Sequence, residues 1–262
     1  MENHLCTEHI LCLQLMGYAP SEIFKTTTES FRLIMRQEGA EELFDKAVAL
    51  LKRQERFGIL TLPFNSLVFP ENLRRIGNDC PPLIHLLGNK ELLGKEAVAV
   101  IGARRADRRG CSAAYKWGTE YAKQGKTVIS GLALGCDAAA HLGCLDSRGG
   151  TIAIVATGLD ITHPRENKNL QERILGNGGL LLSEQIIGVK ANPTRLVARN
   201  RLQAALSEEI VVAQCPEHSG TMHTVRFAKK YGKKIYAVRY GRYGEESSGN
   251  QLLIDEGIAM PI

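Results

Sequence analysis

The sequence predicts an α/β protein: a mostly parallel sheet with helices on both faces, preceded by a small helical N-terminal segment. Two observations carry this. From residue 97 onward, short apolar runs alternate with polar turns and stretches of helical length. Those runs are continuously apolar rather than alternating, which is the pattern of strands covered on both faces.

Residues 1–56 read as a helical domain, with apolar positions at helical spacing in His9–Met16 and Glu41–Leu51. Residues 57–96 read as a connector leading into the sheet domain, punctuated by prolines in Leu62-Pro-Phe-Asn65 and Asn78-Asp-Cys-Pro-Pro82. Residues 97–262 form the sheet domain. Its strands are expected at Ala97–Ile101, Thr127–Ser130, Thr151–Ala156, Leu180–Leu182, Ile210–Ala213 and Lys234–Val238. Helices are expected at about 109–124, 137–147, 167–175, 199–206, 220–231 and 249–256. Tyr240–Gly249, rich in Gly, Glu and Ser, reads as a loop.

A hydrophobic fraction of 44% with 23% charged residues is ordinary for a soluble globular chain. The net charge of +5 permits a nucleic-acid partner without demanding one. Seven scattered cysteines include no C-x-x-C pair, which argues for reduced thiols in a cytoplasmic protein and against a zinc site. No apolar stretch approaches ~20 residues, so no membrane association is expected, nor a signal peptide.

In parallel α/β sheets, ligands lie outside the carboxyl ends of the strands. The turns there share a chemistry. Gly102 opens the first, with Arg104 and Arg105 behind it. Ser130-Gly131 opens the second, where Asp137 is placed to cap the following helix. The third holds Asp160, expected as a structural cap of its turn, and then Lys168. A long connection after the fourth strand carries Arg199-Asn200-Arg201, and the fifth turn carries Ser219-Gly220-Thr221. Glycines with Ser, Thr or Asp at helix starts suit anions, and arginines add bidentate phosphate contacts. The set points to a phosphate-rich ligand. It contains neither a Walker A loop nor a G-x-G-x-x-G fingerprint.

Catalysis has less behind it. Asp137 and His141 are four apart on a helix, and Asp160 with Glu166 could form an acid/base pair, but a cap and local pairing account for them. No nucleophile with a matching base is evident. The histidines lack ligand spacing, so neither a metal nor a cofactor is expected.

Read in order, these words resemble the DNA-processing protein A (DprA/Smf) family. Val100-Ile-Gly-Ala-Arg104 is similar to its V-G-S-R turn, and Ser130–His141 to S-G-L-A-R-G-I-D-A-A-A-H. Gly158–Asn167 resembles G-L-D-x-x-Y-P-x-E-N, Leu182-Ser-Glu184 resembles L-S-E, and Arg199-Asn-Arg201 is similar to R-N-R. Phe69-Pro70, Pro81-Pro82-Leu83 and Gly249–Gly257 extend the likeness over about residues 60–260. The chain departs at Leu134, where the family carries arginine, and at Ala103, His163 and Gln214.

The resemblance implies an extended Rossmann-like fold and a non-enzymatic homodimer that binds single-stranded DNA. It implies protection of incoming DNA and loading of RecA during uptake, transformation and recombination. It also leaves no further domain expected beyond the sheet domain. On this reading Gly102 admits the DNA backbone, and Arg104, Arg105, Lys168, Arg199 and Arg201 neutralise phosphates. Ser130, Gly131, Ser219, Gly220 and Thr221 supply N–H or hydroxyl donors, while Asn200 holds the local backbone or meets a sugar. The alternatives are a nucleoside-monophosphate N-glycosidase, whose doubled glycine and following glutamate are missing here, and a small-nucleotide sensor using the same turns.

Overall fold

The computed structural model describes residues 5–262. Four helices come first: α1 (Thr7–Leu15), α2 (Pro20–Ile23), α3 (Thr28–Ile34) and α4 (Ala40–Arg56). In α4, Glu41 and Glu42 occupy the first turn and Arg53 and Arg56 the last, each opposing the helix dipole. Residues 1–4 of the expected helical segment lie outside the described residues. The chain then enters β1 (Leu60–Pro63), α5 (Glu71–Arg74) and β2 (Leu83–Gly88).

From there strands and helices alternate: β3 (Ala97–Ile101), α6 (Arg108–Lys123), β4 (Thr127–Ser130), α7 (Cys136–Asp146), β5 (Thr151–Ile154), α8 (Lys168–Gly176) and β6 (Leu180–Ser183). The second half continues with α9 (Pro193–Leu206), β7 (Glu209–Val212), α10 (Thr221–Lys230), β8 (Lys234–Ala237), α11 (Ser248–Asp255) and β9 (Met260–Pro261). Strands β3–β8 fall where the apolar runs placed them. Helix α9 starts six residues before the expected 199, because Asn192 caps it by accepting from Arg195 N at 2.8 Å and Pro193 fills its first position.

One nine-stranded sheet has the order β1-β2-β6-β5-β4-β3-β7-β8-β9. Neighbours from β6 through β9 pair in parallel, whereas β1 with β2 and β2 with β6 are antiparallel. This is the Rossmann-like architecture, with two strands added at one edge by the residues expected to be only a connector.

Side-chain alternation along β3 shows how both faces are buried. Val98 and Val100 face the layer of α6 and α7, packing with Ala114, Tyr121, Cys136 and Ala140. Ala97, Ala99 and Ile101 face the opposite layer, where Leu202 of α9, Val225 and Ala228 of α10 and Leu253 of α11 close the core. The N-terminal helices pack around Ile10, Leu13, Ile23 and Phe31 and meet the sheet at Leu83. No helix among the described residues is long and apolar enough to cross a membrane.

Candidate nucleic-acid interface

The sheet reverses direction at β3. From β3 the chain runs through β4, β5 and β6 on one side, then crosses over to β7 and β8 on the other. Such a switch point leaves a crevice between the carboxyl ends of the two diverging strands. A cavity of about 410 Å³ lies there, lined by Gly102 and Arg104 after β3, Ala133 and Asp137 after β4, and Ser219, Gly220 and Thr221 after β7. Helix α9 forms its wall through Leu196, Arg199, Asn200 and Gln203. A second hollow of about 190 Å³ adjoins it, shares Arg104, Ala133, Leu196 and Arg199, and is bounded by Leu134, His163 and Pro164.

The floor is a buried polar cluster. Arg199 is 4% exposed, and its Nη1 donates to the carbonyl of Ile154. With its amide oxygen turned inward, Gln203 accepts from Arg199 Nη1 at 3.2 Å and from Gly131 N at 2.9 Å. The Nε–H of Arg199 is buried and unpartnered. Burial lowers the Arg199 pKa to about 10, with attraction to Asp137 opposing and repulsion from Arg104 assisting, so the guanidinium stays charged at neutral pH. Burial pushes the Asp137 carboxyl up, and Arg199 offsets part of that push. His141 is also fully buried. Thr151 Oγ1 donates to Val128 O, so His141 Nδ1 donates to that hydroxyl at 2.7 Å and the ring is neutral. Burial, with Arg199 nearby, holds its pKa at about 3.

Several expected site residues take other roles. Asp137 does not cap α7. The helix starts from Gly135, whose φ of +74° an L side chain rarely adopts, and Asp137 lies inside the first turn. Its carboxylate folds back to accept from Gly131 N at 3.1 Å, bracing the loop. Asp160, expected to cap its own turn, reaches across instead: it accepts from Gly188 N at 2.8 and 3.0 Å and so ties the loop after β5 to the loop after β6. Gly102 answers to packing within the protein. A Cβ there would sit 2.5 Å from Cys136 Sγ and 2.7 Å from Gln214 O.

The donors divide in the same way. Ser130 is fully buried, with its hydroxyl donating to Val100 O at 2.7 Å, and Gly131 N is held by Asp137. Arg201 points away from the cavity: it forms a two-pronged pair with Glu184 and donates through Nε to Asp79 O at 2.8 Å. Lys168 is exposed and lies 3.8 Å from Glu172. Arg105 is exposed outside the cavity lining. Arg104, Asn200, Ser219, Gly220 and Thr221 do meet around the cavity, where Asn200 Nδ2 donates to Gly220 O at 3.2 Å. Ser219 Oγ is buried and without a partner. Among the described residues no group of His, Cys, Asp and Glu is placed to hold a metal ion.

Three contributors carried no motif. Gln203 lies one turn after Arg199 and so joins it at the cavity wall, whereas Leu196 enters because α9 begins early, with the Asn192-Pro193 pair as the signal for that start. Gln214 organises the β3–α6 loop. Its carbonyl accepts from Ala103 N at 2.7 Å, its Oε1 accepts from Asp107 N at 2.9 Å, and its Nε2 donates to Asp107 Oδ1 at 3.0 Å. Asp107 in turn caps α6 by accepting from Gly110 N at 2.9 Å.

Residues 61–262 match the family model for DNA recombination-mediator protein A. DNA processing protein DprA of Streptococcus pneumoniae is 36% identical over 189 residues, which cover 72% of this chain and 66% of that protein. Protein Smf of Synechocystis is 35% identical over 181 residues, 68% of this chain and 45% of that protein. The chain thus spans about half to two thirds of these two relatives. The X-ray structure of DprA from Streptococcus pneumoniae superposes with a TM-score of 0.77 at 28% identity, covering 100% of this chain and 91% of that one. DNA processing protein A from Helicobacter pylori, whose structure is described for a single-stranded DNA binding mode, superposes with a TM-score of 0.69 at 32% identity over 78% of this chain and 90% of its own. A match over this much of the chain, carried by the same fold, means that it belongs to the DNA recombination-mediator protein A family.

Proposed function

We propose that this chain binds single-stranded DNA in the switch-point cavity and acts as a recombination mediator. In that role it protects incoming DNA and helps load a RecA-type recombinase during uptake and transformation, working in the cytoplasm as a homodimer without catalysing a reaction. The observation that carries the reading is a buried cation beside an open cavity. Arg199 keeps its charge and an unpartnered Nε–H in the cavity wall, Arg104 stands exposed at the mouth, and the unpartnered Ser219 hydroxyl belongs to the opposite turn. A buried charge is costly unless compensated, and a phosphate supplies both countercharge and acceptor. The α10 N-terminus at Gly220-Thr221 adds its dipole on the same side. The Helicobacter relative described for single-stranded DNA binding makes that polymer the best-supported ligand.

Titrating a labelled oligothymidylate at several salt concentrations tests the reading. Affinity should fall by roughly 0.7 log units per log unit of salt for each phosphate neutralised. Aromatic residues are 6% of the chain, so stacking platforms are few and sequence preference should be modest. RecA filament nucleation on the same oligonucleotide should accelerate when the protein is added. Failure of the wild type to bind, or unchanged binding after Arg104→Ala, would overturn the DNA reading. Free base released from nucleoside monophosphates, or thermal stabilisation by mononucleotides without DNA affinity, would reassign the cavity to a small nucleotide.

A further inference from the structure

The cavity mouth has two flanks of different chemistry. On the β4–α7 side stands Leu134, whose apolar side chain is 40% exposed, and the nearby helix α8 opens with Lys168 close to Glu172. On the other side the β3–α6 loop and the first turn of α6 present Arg105 and Arg108, both exposed. Neither has a carboxylate within ion-pair distance among the described residues.

Arg109, between that turn and the rest of the edge, is held in place. It pairs with Asp107 at 3.0 Å, donates through Nη1 to Arg242 O at 3.2 Å, and lies 5.4 Å from the centre of the Tyr240 ring. Tyr240 is anchored in turn, its hydroxyl donating to Ala213 O at 2.8 Å. The β3–α6 and β8–α11 loops are therefore locked side by side, and Arg242 is exposed on the second. Asp107 is the acidic residue of the first loop, and it is already engaged by Arg109, Gly110 N and Gln214. Glu245 and Glu246 follow further along the second loop and bound the basic band. Like charges gathered on a fixed rim repel one another, and a polyanion relieves that repulsion while releasing counterions.

We infer that single-stranded DNA seated in the cavity continues across the β3–α6 and β8–α11 loops, with Arg105, Arg108 and Arg242 taking phosphates beyond the cavity, rather than leaving over Leu134. The inference rests on the single-stranded DNA reading and adds a direction to it. Leu134 can attract no phosphate, and on its flank Lys168 stands beside Glu172 and leaves Arg165 as the exposed cation without a carboxylate partner among the described residues, so the flank that gathers Arg105, Arg108 and Arg242 sets the path.

Two oligothymidylates distinguish a cavity contact from a track: one of about 4 nucleotides and one of about 16, the limits of common single-strand site sizes. The variant Arg108→Ala/Arg242→Ala should bind the short oligonucleotide as the wild type does. On the long one its log–log salt slope should be smaller by about 1.4, which amounts to affinity about 25-fold weaker at 0.1 M salt. Arg108→Lys/Arg242→Lys should restore the slope. The track is refuted if the alanine variant matches the wild type on the long oligonucleotide, if lysine fails to restore the slope, or if Arg165→Ala/Lys168→Ala causes the loss instead. Binding of neither oligonucleotide by the wild type would overturn the DNA reading itself, whereas a loss after Arg104→Ala alone would overturn only the track.

Discussion

Mild acid should destabilise this protein through His85, a fully buried residue of β2. Gln54 Nε2 donates to its Nδ1 at 2.9 Å, and Thr61 Oγ1 lies 3.0 Å from the same atom. Burial lowers its pKa from 6.5 to about 3. The unfolded chain takes up this proton near pH 6.5, while the folded chain refuses it until about pH 3. Between those values the unfolded state binds more protons, so stability falls as pH falls, by about 1.4 kcal/mol per unit. Going from pH 7 to pH 5 crosses about 1.5 units below the unfolded value and costs about 2 kcal/mol. Urea unfolding of the wild type and of His85→Gln at both pH values gives the assay. The wild type should lose about 2 kcal/mol more than the variant. His141 and the carboxylates contribute to both proteins alike and cancel in the difference. Equal losses would refute the claim that His85 is held neutral by burial. Gln54 Oε1 also accepts from Ile187 N at 3.2 Å, so the protection factor of that amide should fall early as the pH is lowered.

Other perturbations follow from single contacts. Gly102→Ala forces a Cβ against Cys136 and Gln214 O and should lower stability by about 1–3 kcal/mol, read as a shift in thermal midpoint. An unshifted midpoint would mean that the β3–α6 loop yields easily. Asp160→Ala releases Gly188 N and should cost about 1 kcal/mol, with faster hydrogen exchange at Gly188 and Val189 as the local signature. Leu134→Arg puts a cation on the flank that the proposed DNA path does not follow, so it should leave the salt slope of oligothymidylate binding as in the wild type. A slope raised by about 0.7 would place the DNA over the β4–α7 loop.

The order of strands and helices in the sheet domain was legible because each β3–β8 strand is a short apolar run buried on both faces, and burial of that kind leaves a local trace in composition. Strands β1 and β2 left less of one. Leu60 is 40% exposed at the sheet edge and prolines interrupt the stretch, so their pairing depends on β6, about a hundred residues away. The turns that gather at the switch point were also visible, since glycine, cap residues and arginine are local choices. What the residues would do there was not. Arg199 and Arg201 sit two apart on one helix, a spacing that points them in different directions: one onto the cavity wall, the other to Glu184 and Asp79. Asp137 carries the composition of a cap, yet it braces Gly131 because Gly135 had already turned the chain. The sequence by itself determined the class of fold, the family and the edge of the sheet where the glycine- and arginine-bearing turns gather. Only the tertiary structure decided which charges face solvent and which are held by the protein, because that depends on partners far apart in the chain and on how much water each side chain loses when they meet.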